Sequence, residues 1–448
     1  MSKLGLLRRR WSRLSINVGQ MTAGGKWALA LPVNTQKNLR NFFLDGVLAS
    51  ASDTIPITYL TVLLLALGAN NLQIGSMTAL ASLSAILLLI PGASLVDRYP
   101  ERRRQIVTIS GGIFGRLPLL LLALTPVLLQ GPQAVYVAIA LKILMDAARN
   151  LGLPGWVSVT ADIVPLSWRG RYFGSRNLAM GIAGMLVTYL VGYMITIQGE
   201  LSGYAWAFGI AFALGMGSTY FFARLKVPVQ LSAQAQTPGR YTPQALWRTL
   251  HGNPNFQAFF IYTVLWNFSI NLATPFFTVY LVESLGATAA VVGTLAIVSR
   301  ISALPAQHFF GSLVDRWGAH RLSRLTGLII PFLPLAWLFV TSPWQIIPIH
   351  IVGGMVWAGY GLASFNFLLD VSDPEQRARY SAIFQIAVAI ATAAGAWLGG
   401  LVGEQWGIPV LFLSSGIGRL IAAGYFQRYV KPPQLVDSRG PQQDTPKA

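Results

Sequence analysis

Cysteine is absent from the 448 residues, and charged residues, at 11%, are scarce. The absence of cysteine excludes disulfides, thiolate metal sites and a cysteine nucleophile. Soluble domains carry about 25% charged residues, whereas 54% of this chain is hydrophobic. A water-soluble fold could not cover so much apolar surface, but a lipid bilayer solvates it directly. The composition therefore predicts an all-α protein that crosses a membrane many times.

The sequence also contains little that could support catalysis. Only four histidines are present, and no spacing is typical of metal ligands or of a catalytic triad. The phosphate-binding pattern G-x-x-x-x-G-K-[ST] is missing, so we do not expect ATP to drive any process here. We therefore expect no enzyme activity, no catalytic residue, no metal site and no cofactor.

Apolar stretches of about 20 residues, the length that crosses a bilayer, recur along the whole chain. The connections between them alternate in charge. Every second connection lacks Lys and Arg, while the others and both termini carry most of the basic residues. We predict twelve transmembrane helices, near 41–67, 73–95, 106–129, 134–157, 177–197, 204–223, 258–284, 288–312, 323–341, 345–368, 381–403 and 408–427.

The basic connections predict the orientation. Loops rich in Lys and Arg lie in the cytoplasm, so we expect both termini to be cytoplasmic and the membrane to be the cytoplasmic (inner) one. A net charge of +18 could indicate a nucleic-acid partner. Because these charges lie in short loops between spans, we expect contact with membrane lipid and no nucleic acid. The basic, acid-free segment 1–40 could instead be an organellar transit peptide.

Two internal sequence matches indicate that the chain consists of two related halves. A shift of 218 residues superimposes 94–98 on 312–316, both Ser-Leu-Val-Asp-Arg. A shift of 208 residues repeats the pattern D-x6-R-x-R-Y, from Asp162 and from Asp370. Two six-helix halves are typical of carriers whose binding site lies between the halves. The predicted order is a basic tail 1–40, a bundle 41–223, a cytoplasmic linker 224–257, a bundle 258–428 and a tail 429–448.

Two loops resemble a signature of the Major Facilitator Superfamily, G-x-L-a-D-[RK]-x-G-[RK]-[RK]. Residues 311–321 fit the signature well, while 93–103 has Ala93 and Pro100 at the two glycine positions. The resemblance covers nearly the whole chain. It implies twelve helices in two six-helix pseudo-repeats and transport of a small solute, without indicating which solute.

The resemblance also implies that Asp97 and Asp315 hold the halves together at the cytoplasmic side. A carboxylate that pairs with an arginine or a helix N-terminus in one state only would favour that state. The alternative for Asp97 and Asp315 is that each is a solvated loop charge. For the repeated D-x6-R-x-R-Y pattern, which contains Arg169 and Arg377, the alternative is that its arginines anchor the loop to the inner leaflet. The predicted cytoplasmic gate comprises Asp97, Arg98, Asp315, Arg316, Arg169 and Arg377.

Charged residues at bilayer depth cost about 2.5 kcal/mol or more, so they usually face a partner or a cavity. Lys142, Asp146 and Arg149 follow an i, i+4, i+7 spacing, which places them on one stripe of predicted span 4. The resemblance implies that spans 1, 4, 7 and 10 face the interior. The predicted solute and proton pathway comprises Asp53, Lys142, Asp146, Arg149, Asn271 and Arg300.

Several roles in this pathway stay open. Asn271 occupies the position of Asp53 under the 218-residue shift, and Arg300 has Ser82 as its counterpart. The three residues of the span 4 stripe could form a purely structural ladder of salt bridges. Asp53 could be a structural residue whose hydrogen bonds are satisfied, rather than a proton carrier. We expect Arg116, in predicted span 3, only to pair with a neighbouring helix.

Our first hypothesis is a secondary transporter that works as a monomer and couples protons through Asp53 or Asp146. The alternatives are an uncoupled facilitator and a carrier-like membrane subunit that transports nothing. Basic residues outnumber acidic residues in the predicted pathway. This excess favours an anionic or zwitterionic solute.

Overall fold

The computed structural model of the protein describes residues 30–227, 243–373 and 376–432. Its long helices follow the order of the twelve predicted spans. We number the spans α1–α12. A π-helical stretch, Thr108–Phe114, interrupts α3. The first six are α1 Val33–Ala66, α2 Asn71–Arg98, α3 with segments Arg103–Val107, Thr108–Phe114 and Gly115–Leu128, α4 Pro132–Ile163, α5 Arg169–Gln198 and α6 Glu200–Ala223.

The last six spans follow a short linker helix, Pro243–Gly252. Two of them are broken next to a proline, Pro275 and Pro331, because proline lacks the N–H that a continuous helix needs. They are α7 with segments Pro254–Ala273, Phe276–Val279 and Tyr280–Ser284, α8 Ala289–Trp317, α9 with segments Ala319–Ile329 and Phe332–Trp337, α10 Ile346–Val371, α11 Arg377–Trp406 and α12 Ile408–Tyr429.

The predicted all-α membrane architecture is confirmed. In the described ranges, nine helices are long and apolar enough to cross a bilayer, and no strand forms. The other three predicted spans are also helical, but α4 carries several charges and α7 and α9 are broken. The count of twelve spans is consistent with this structure.

Two helices begin eight residues earlier than the sequence predicts, a larger difference than for the other spans. α1 starts inside the predicted tail 1–40, and α5 starts at Arg169 instead of near residue 177. Arg176, taken from the sequence as a loop residue, therefore lies about two turns inside α5, and it is buried. The parts of the predicted tails and linker at 1–29, 228–242 and 433–448 lie outside the described residues.

The 218-residue repeat reappears as the same turn in both halves. Gly68 after α1 has a φ of 87° and Gly286 after α7 a φ of 63°, a left-handed conformation that favours glycine. The helix after each turn is capped. The Asn70 side chain accepts from the N–H of the residue three positions on at 2.9 Å, and the Thr288 side chain does the same at 3.4 Å.

The two halves, α1–α6 and α7–α12, contact each other at one end of the helices. We call this end, which includes the connection 67–70, the arginine-poor end, and the end that includes the connection 99–102 the arginine-rich end. Three hydrogen bonds join the halves within the described ranges, and all three lie at the arginine-poor end. One of them runs from the Asn71 N–H of α2 to Glu404 of α11, at 3.1 Å.

The halves separate toward the arginine-rich end. Gly192 of α5 packs against α8. Gly181 and Gly174 lie on the same stripe of α5, but no atom of the described residues lies within 4 Å of a Cβ added to either. On α8, Gly293 packs against α5, while Gly311, on the same stripe, faces open space in the described part of the chain. The space between the halves therefore opens at the arginine-rich end.

The interiors of the two halves differ in chemistry. In the second half, Phe259 lies 5.0 Å from Phe367 and 5.8 Å from Phe384, measured between ring centroids, which joins α7, α10 and α11. The hydroxyls of Tyr262 and Tyr360 lie 3.0 Å apart. The first half instead buries several charged side chains in ion pairs. The buried ion pairs of the described residues therefore lie in α1–α6.

Candidate functional site

A cavity of about 500 Å³ lies among α1, α3, α4, α5 and α6. A second cavity of about 420 Å³ lies between α2 and α4. Arg149 and Asn150 line both, so the two spaces meet at one stretch of α4. Charged and hydroxyl groups that line the larger cavity include Asp45, Asp53, Arg116, Arg149, Arg176 and Ser218.

Asp53 of α1 is paired with two arginines from two other helices. Its Oδ1 accepts a hydrogen bond from Nη1 of Arg116 in α3. Its Oδ2 accepts one from Nη2 of Arg149 in α4, at 2.6 Å. The side chain of Arg116 is 8% exposed and that of Arg149 is 36% exposed. One carboxylate thus connects three helices. Both arginines line the larger cavity, but Arg149 is the more exposed of the two and also lines the second cavity.

The local structure of α3 and α6 positions Arg116. The π-helical stretch Thr108–Phe114 comes directly before it, and such stretches are frequent at functional sites. Gly215 of α6 makes room for the arginine, because an added Cβ there would lie 2.6 Å from its Cδ. Arg116 also donates to Ser52 Oγ at 3.1 Å, and that hydroxyl donates to the Ala211 carbonyl at 2.6 Å.

The predicted stripe on α4 divides into two groups. Nζ of Lys142 lies 2.6 Å from Oδ2 of Asp146, one turn further on, so this pair is complete within one helix. Arg149 does not extend the pair and instead reaches Asp53. All three residues line the cavity between α2 and α4, so both alternatives drawn from the sequence stay open. The first two residues form a salt bridge along the helix, and the third connects helices at the cavity.

A second buried ion pair lies on the arginine-rich side of Asp53. Nη2 of Arg176 is 3.6 Å from Oδ2 of Asp45, and Ser218 donates to Asp45 Oδ1 at 2.7 Å. Nε of Arg176 donates to the Phe42 carbonyl at 3.1 Å, and its guanidinium lies 4.2 Å from the Phe42 ring centroid. An unpaired buried charge is costly. These contacts therefore hold α1, α5 and α6 together.

Arg116, Arg176, Ser52 and Ser218 are site residues that sequence reasoning missed. Arg116 does pair with a neighbouring helix, as expected, but its partner is the carboxylate of the predicted pathway. The available signal was an arginine at bilayer depth, which requires a partner. Arg176 was missed because the start of α5 was placed too late. Ser52 and Ser218 could not be predicted in this way, because a serine in an apolar span does not by itself indicate a site.

The two predicted residues of the second half lie apart from the Asp53 cluster. Asn271 donates to the Asn267 carbonyl at 2.8 Å and to Thr392 Oγ1 at 3.1 Å, so it joins α7 to α11. Arg300 is half-buried. Its Nη1 would lie 3.3 Å from a Cβ on Gly184 of α5. It forms no ion pair with any carboxylate in the described ranges.

The predicted gate residues do not meet in this structure. Asp97, Arg98, Asp315, Arg316 and Arg377 are exposed, and within the described ranges none forms an ion pair with the other half. Arg169 donates to the Ala161 carbonyl at 2.7 Å, at the end of α4. Arg103 and Asp162 instead form an ion pair of 2.6 Å within the first half. Their repeat counterparts in the second half, Arg321 and Asp370, are both exposed.

Solved structures of transporters share this fold. The chain is 17% identical to a mutant of the nucleoside transporter NupG, with a TM-score of 0.70 over 87% of this chain and 100% of that chain. It is 13% identical to an inward-facing bacterial homologue of the human lysosomal transporter Spinster, with a TM-score of 0.66 over 86% and 95%. It is 15% identical to a D-xylose-proton symporter, with a TM-score of 0.64 over 94% and 98%. No curated protein matches the sequence.

The apolar helical spans and the charged cavities of the first half are those of a multi-pass membrane protein. The sequence matches the family model of the Major Facilitator Superfamily twice, over residues 42–280 and 259–447. The chain belongs to the Major Facilitator Superfamily. It is therefore a transporter rather than an enzyme, as the sequence predicted.

Proposed function

We propose that the protein is a secondary active transporter that moves a small solute across the cytoplasmic membrane by alternating access, coupled to protons through Asp53. The observation that carries this proposal is the position of Asp53, which joins α1 to Arg116 of α3 and Arg149 of α4 beside the larger cavity. A proton on Asp53 would remove its charge and release both arginines. Protonation would thereby change the charge of the cavity and the contacts between three helices.

The positive-inside rule supports a cytoplasmic position for the arginine-rich end. On this assignment both termini are cytoplasmic and the structure is an inward-facing state. The gate residues would then be apart because the cytoplasmic side is open, and we propose that Asp97 and Asp315 form contacts in the outward-facing state. The proposal includes two bundles, 41–223 and 258–428, joined by a cytoplasmic linker, 224–257. It also includes a protein that works in the lipid membrane as a monomer.

Asp53 is a better candidate for coupling than Asp146. Asp146 is paired with Lys142 of its own helix at 2.6 Å, so its protonation would change few contacts between helices. Protonation of Asp53 would break contacts that join α1, α3 and α4. A proton can drive a conformational change only if its binding affects the two states differently.

An uncoupled facilitator is the second candidate. It is favoured by the fact that Asp53 already has two arginine partners, which a purely structural role would also explain. The two candidates differ in proton movement. Purified protein in liposomes should produce solute-triggered proton movement, and an imposed pH gradient should drive solute above equilibrium. Solute flux without any proton movement would contradict coupling and leave the facilitator.

A further inference from the structure

Positive charge exceeds negative charge in the membrane-spanning part of the described chain. Lys142 is neutralised by Asp146, and Arg176 by Asp45. Asp53 has to serve both of its arginines, so one positive charge remains beside the larger cavity. Arg300 adds a second, and the buried Arg419 of α12 a third, since no carboxylate of the described residues pairs with either. A charge at bilayer depth usually has a partner or faces a cavity that admits one.

Arg149 is the arginine of the cluster that can contact a solute. Arg116 is nearly buried and bonds to Ser52 as well as to Asp53. Arg149 is 36% exposed and lines both cavities. A guanidinium has five N–H donors, and Arg149 uses one of them on Asp53. Its remaining donors can bind a carboxylate or a phosphate with two parallel hydrogen bonds.

Arg300 approaches the same region from the other half of the protein. Its Nη1 and the Ser50 hydroxyl lie 3.3 and 3.2 Å from the position of a Cβ on Gly184. Ser50 is one turn from Asp53 on α1 and donates to the carbonyl of Met180 at 2.8 Å. Met180 lines the larger cavity. Arg300 thus lies where α1, α5 and α8 meet, beside residues that neighbour the lining of the larger cavity, although it is not part of that lining.

We propose that the solute is a small molecule with an oxyanion group, a carboxylate or a phosphate, bound by Arg149 with Arg300 contributing from the opposite half. This inference rests on the proposed transport function. The solute anion and the Asp53 carboxylate compete for one guanidinium. A proton on Asp53 therefore frees Arg149 for the anion, so that proton and anion bind together. Contacts to both halves would stabilise a closed state around the solute.

Matched pairs of solutes that differ in charge test the proposal. The pairs are benzoate with benzamide, glycerol 3-phosphate with glycerol, and lactate with lactamide, together with inorganic phosphate and a panel of sugars and cations. Binding is measured on the full-length protein by thermal shift, and exchange by counterflow in liposomes. We expect an anionic member to bind and exchange while its neutral partner does not.

Variants assign the binding to the two arginines. We expect Arg149→Gln and Arg300→Gln to weaken anion binding at least tenfold. Arg149→Lys, which keeps the charge but loses the two-pronged geometry, should weaken it less. Arg324→Gln removes an exposed charge at the arginine-rich end and should leave binding unchanged. Transport of a neutral or cationic solute that survives both Gln variants would overturn the anion inference and leave the transport proposal intact. No exchange of any solute would contradict both.

Discussion

Arg149 and Arg116 share one carboxylate, Asp53, but they differ in exposure, at 36% and 8% of the side chain. Arg116 is surrounded by α1, α3 and α6, and it bonds to Ser52 as well. Arg149 lies at the junction of the two cavities. We infer that the two arginines have different roles. Arg116 mainly stabilises the bundle, and Arg149 is available to bind a solute.

Loss of Arg116 should therefore destabilise the protein more than loss of Arg149. Removal of one partner from a buried ion pair costs about 3 kcal/mol or more when the other charge is left without a partner. Loss of Arg116 would leave Asp53 with only the more exposed Arg149 and would remove the buried bond to Ser52. We expect Arg116→Gln to lower the thermal unfolding temperature in detergent clearly, and Arg149→Gln to lower it only slightly. Equal losses in the two variants would contradict the division of roles.

Gly215 should tolerate no side chain. A Cβ at this position would lie 2.6 Å from Cδ of Arg116 and 2.9 Å from the Ser52 hydroxyl. Gly209 lies in the same helix, and among residues 30–227, 243–373 and 376–432 no neighbouring atom comes within 4 Å of its added Cβ, so it is a matched control. We expect Gly215→Ala to lower the unfolding temperature and Gly209→Ala to leave it unchanged or raise it, because alanine favours helix. A loss of equal size at both glycines would mean that the contact with Arg116 is unimportant.

The sequence predicted the helices well because lipid imposes a simple length and polarity on each span. The i, i+4, i+7 spacing of Lys142, Asp146 and Arg149 placed all three on one side of α4, and the 218-residue repeat predicted the paired turns at Gly68 and Gly286. These features depend on the periodicity of one helix or on a direct sequence match between the two halves. They require no knowledge of which helices are neighbours.

The partners of the charges could not be predicted in the same way. That Asp53 meets Arg116 depends on the packing of α6 against both α1 and α3, which no linear spacing encodes. The repeat also did not predict the partners of Asn271. It matches Asp53 in position, but without a charge it bonds to Thr392 of α11. Equivalent positions in the two halves thus carry different chemistry.

A cross-link at the arginine-poor end should stop transport. The Asn71 side chain of α2 donates to the Gly403 carbonyl of α11 at 3.4 Å. Because the chain has no cysteine, Asn71→Cys with Gly403→Cys introduces a single thiol pair. We expect oxidation to abolish solute flux and a reductant to restore it, since the halves must separate at this end to face outward. Flux that continues at full rate after complete cross-linking would contradict alternating access, and each single variant is the control.

The proposed gate can be tested through a cysteine at Gly174, which faces open space on α5. If Asp97 and Asp315 stabilise the outward-facing state, Asp97→Asn and Asp315→Asn should shift the protein toward the inward-facing state. We expect faster maleimide labelling of Gly174→Cys in either background, by a fewfold. Unchanged labelling in both backgrounds would indicate that the two carboxylates are only solvated loop charges.

The most direct test of the account compares Asp53→Asn with Asp146→Asn in two assays on the same liposomes. Counterflow requires only binding and movement of the halves, whereas accumulation driven by a pH gradient also requires coupling. The account predicts that Asp53→Asn keeps counterflow and loses accumulation, while Asp146→Asn keeps both. Full accumulation by Asp53→Asn would contradict the assignment of coupling to this carboxylate.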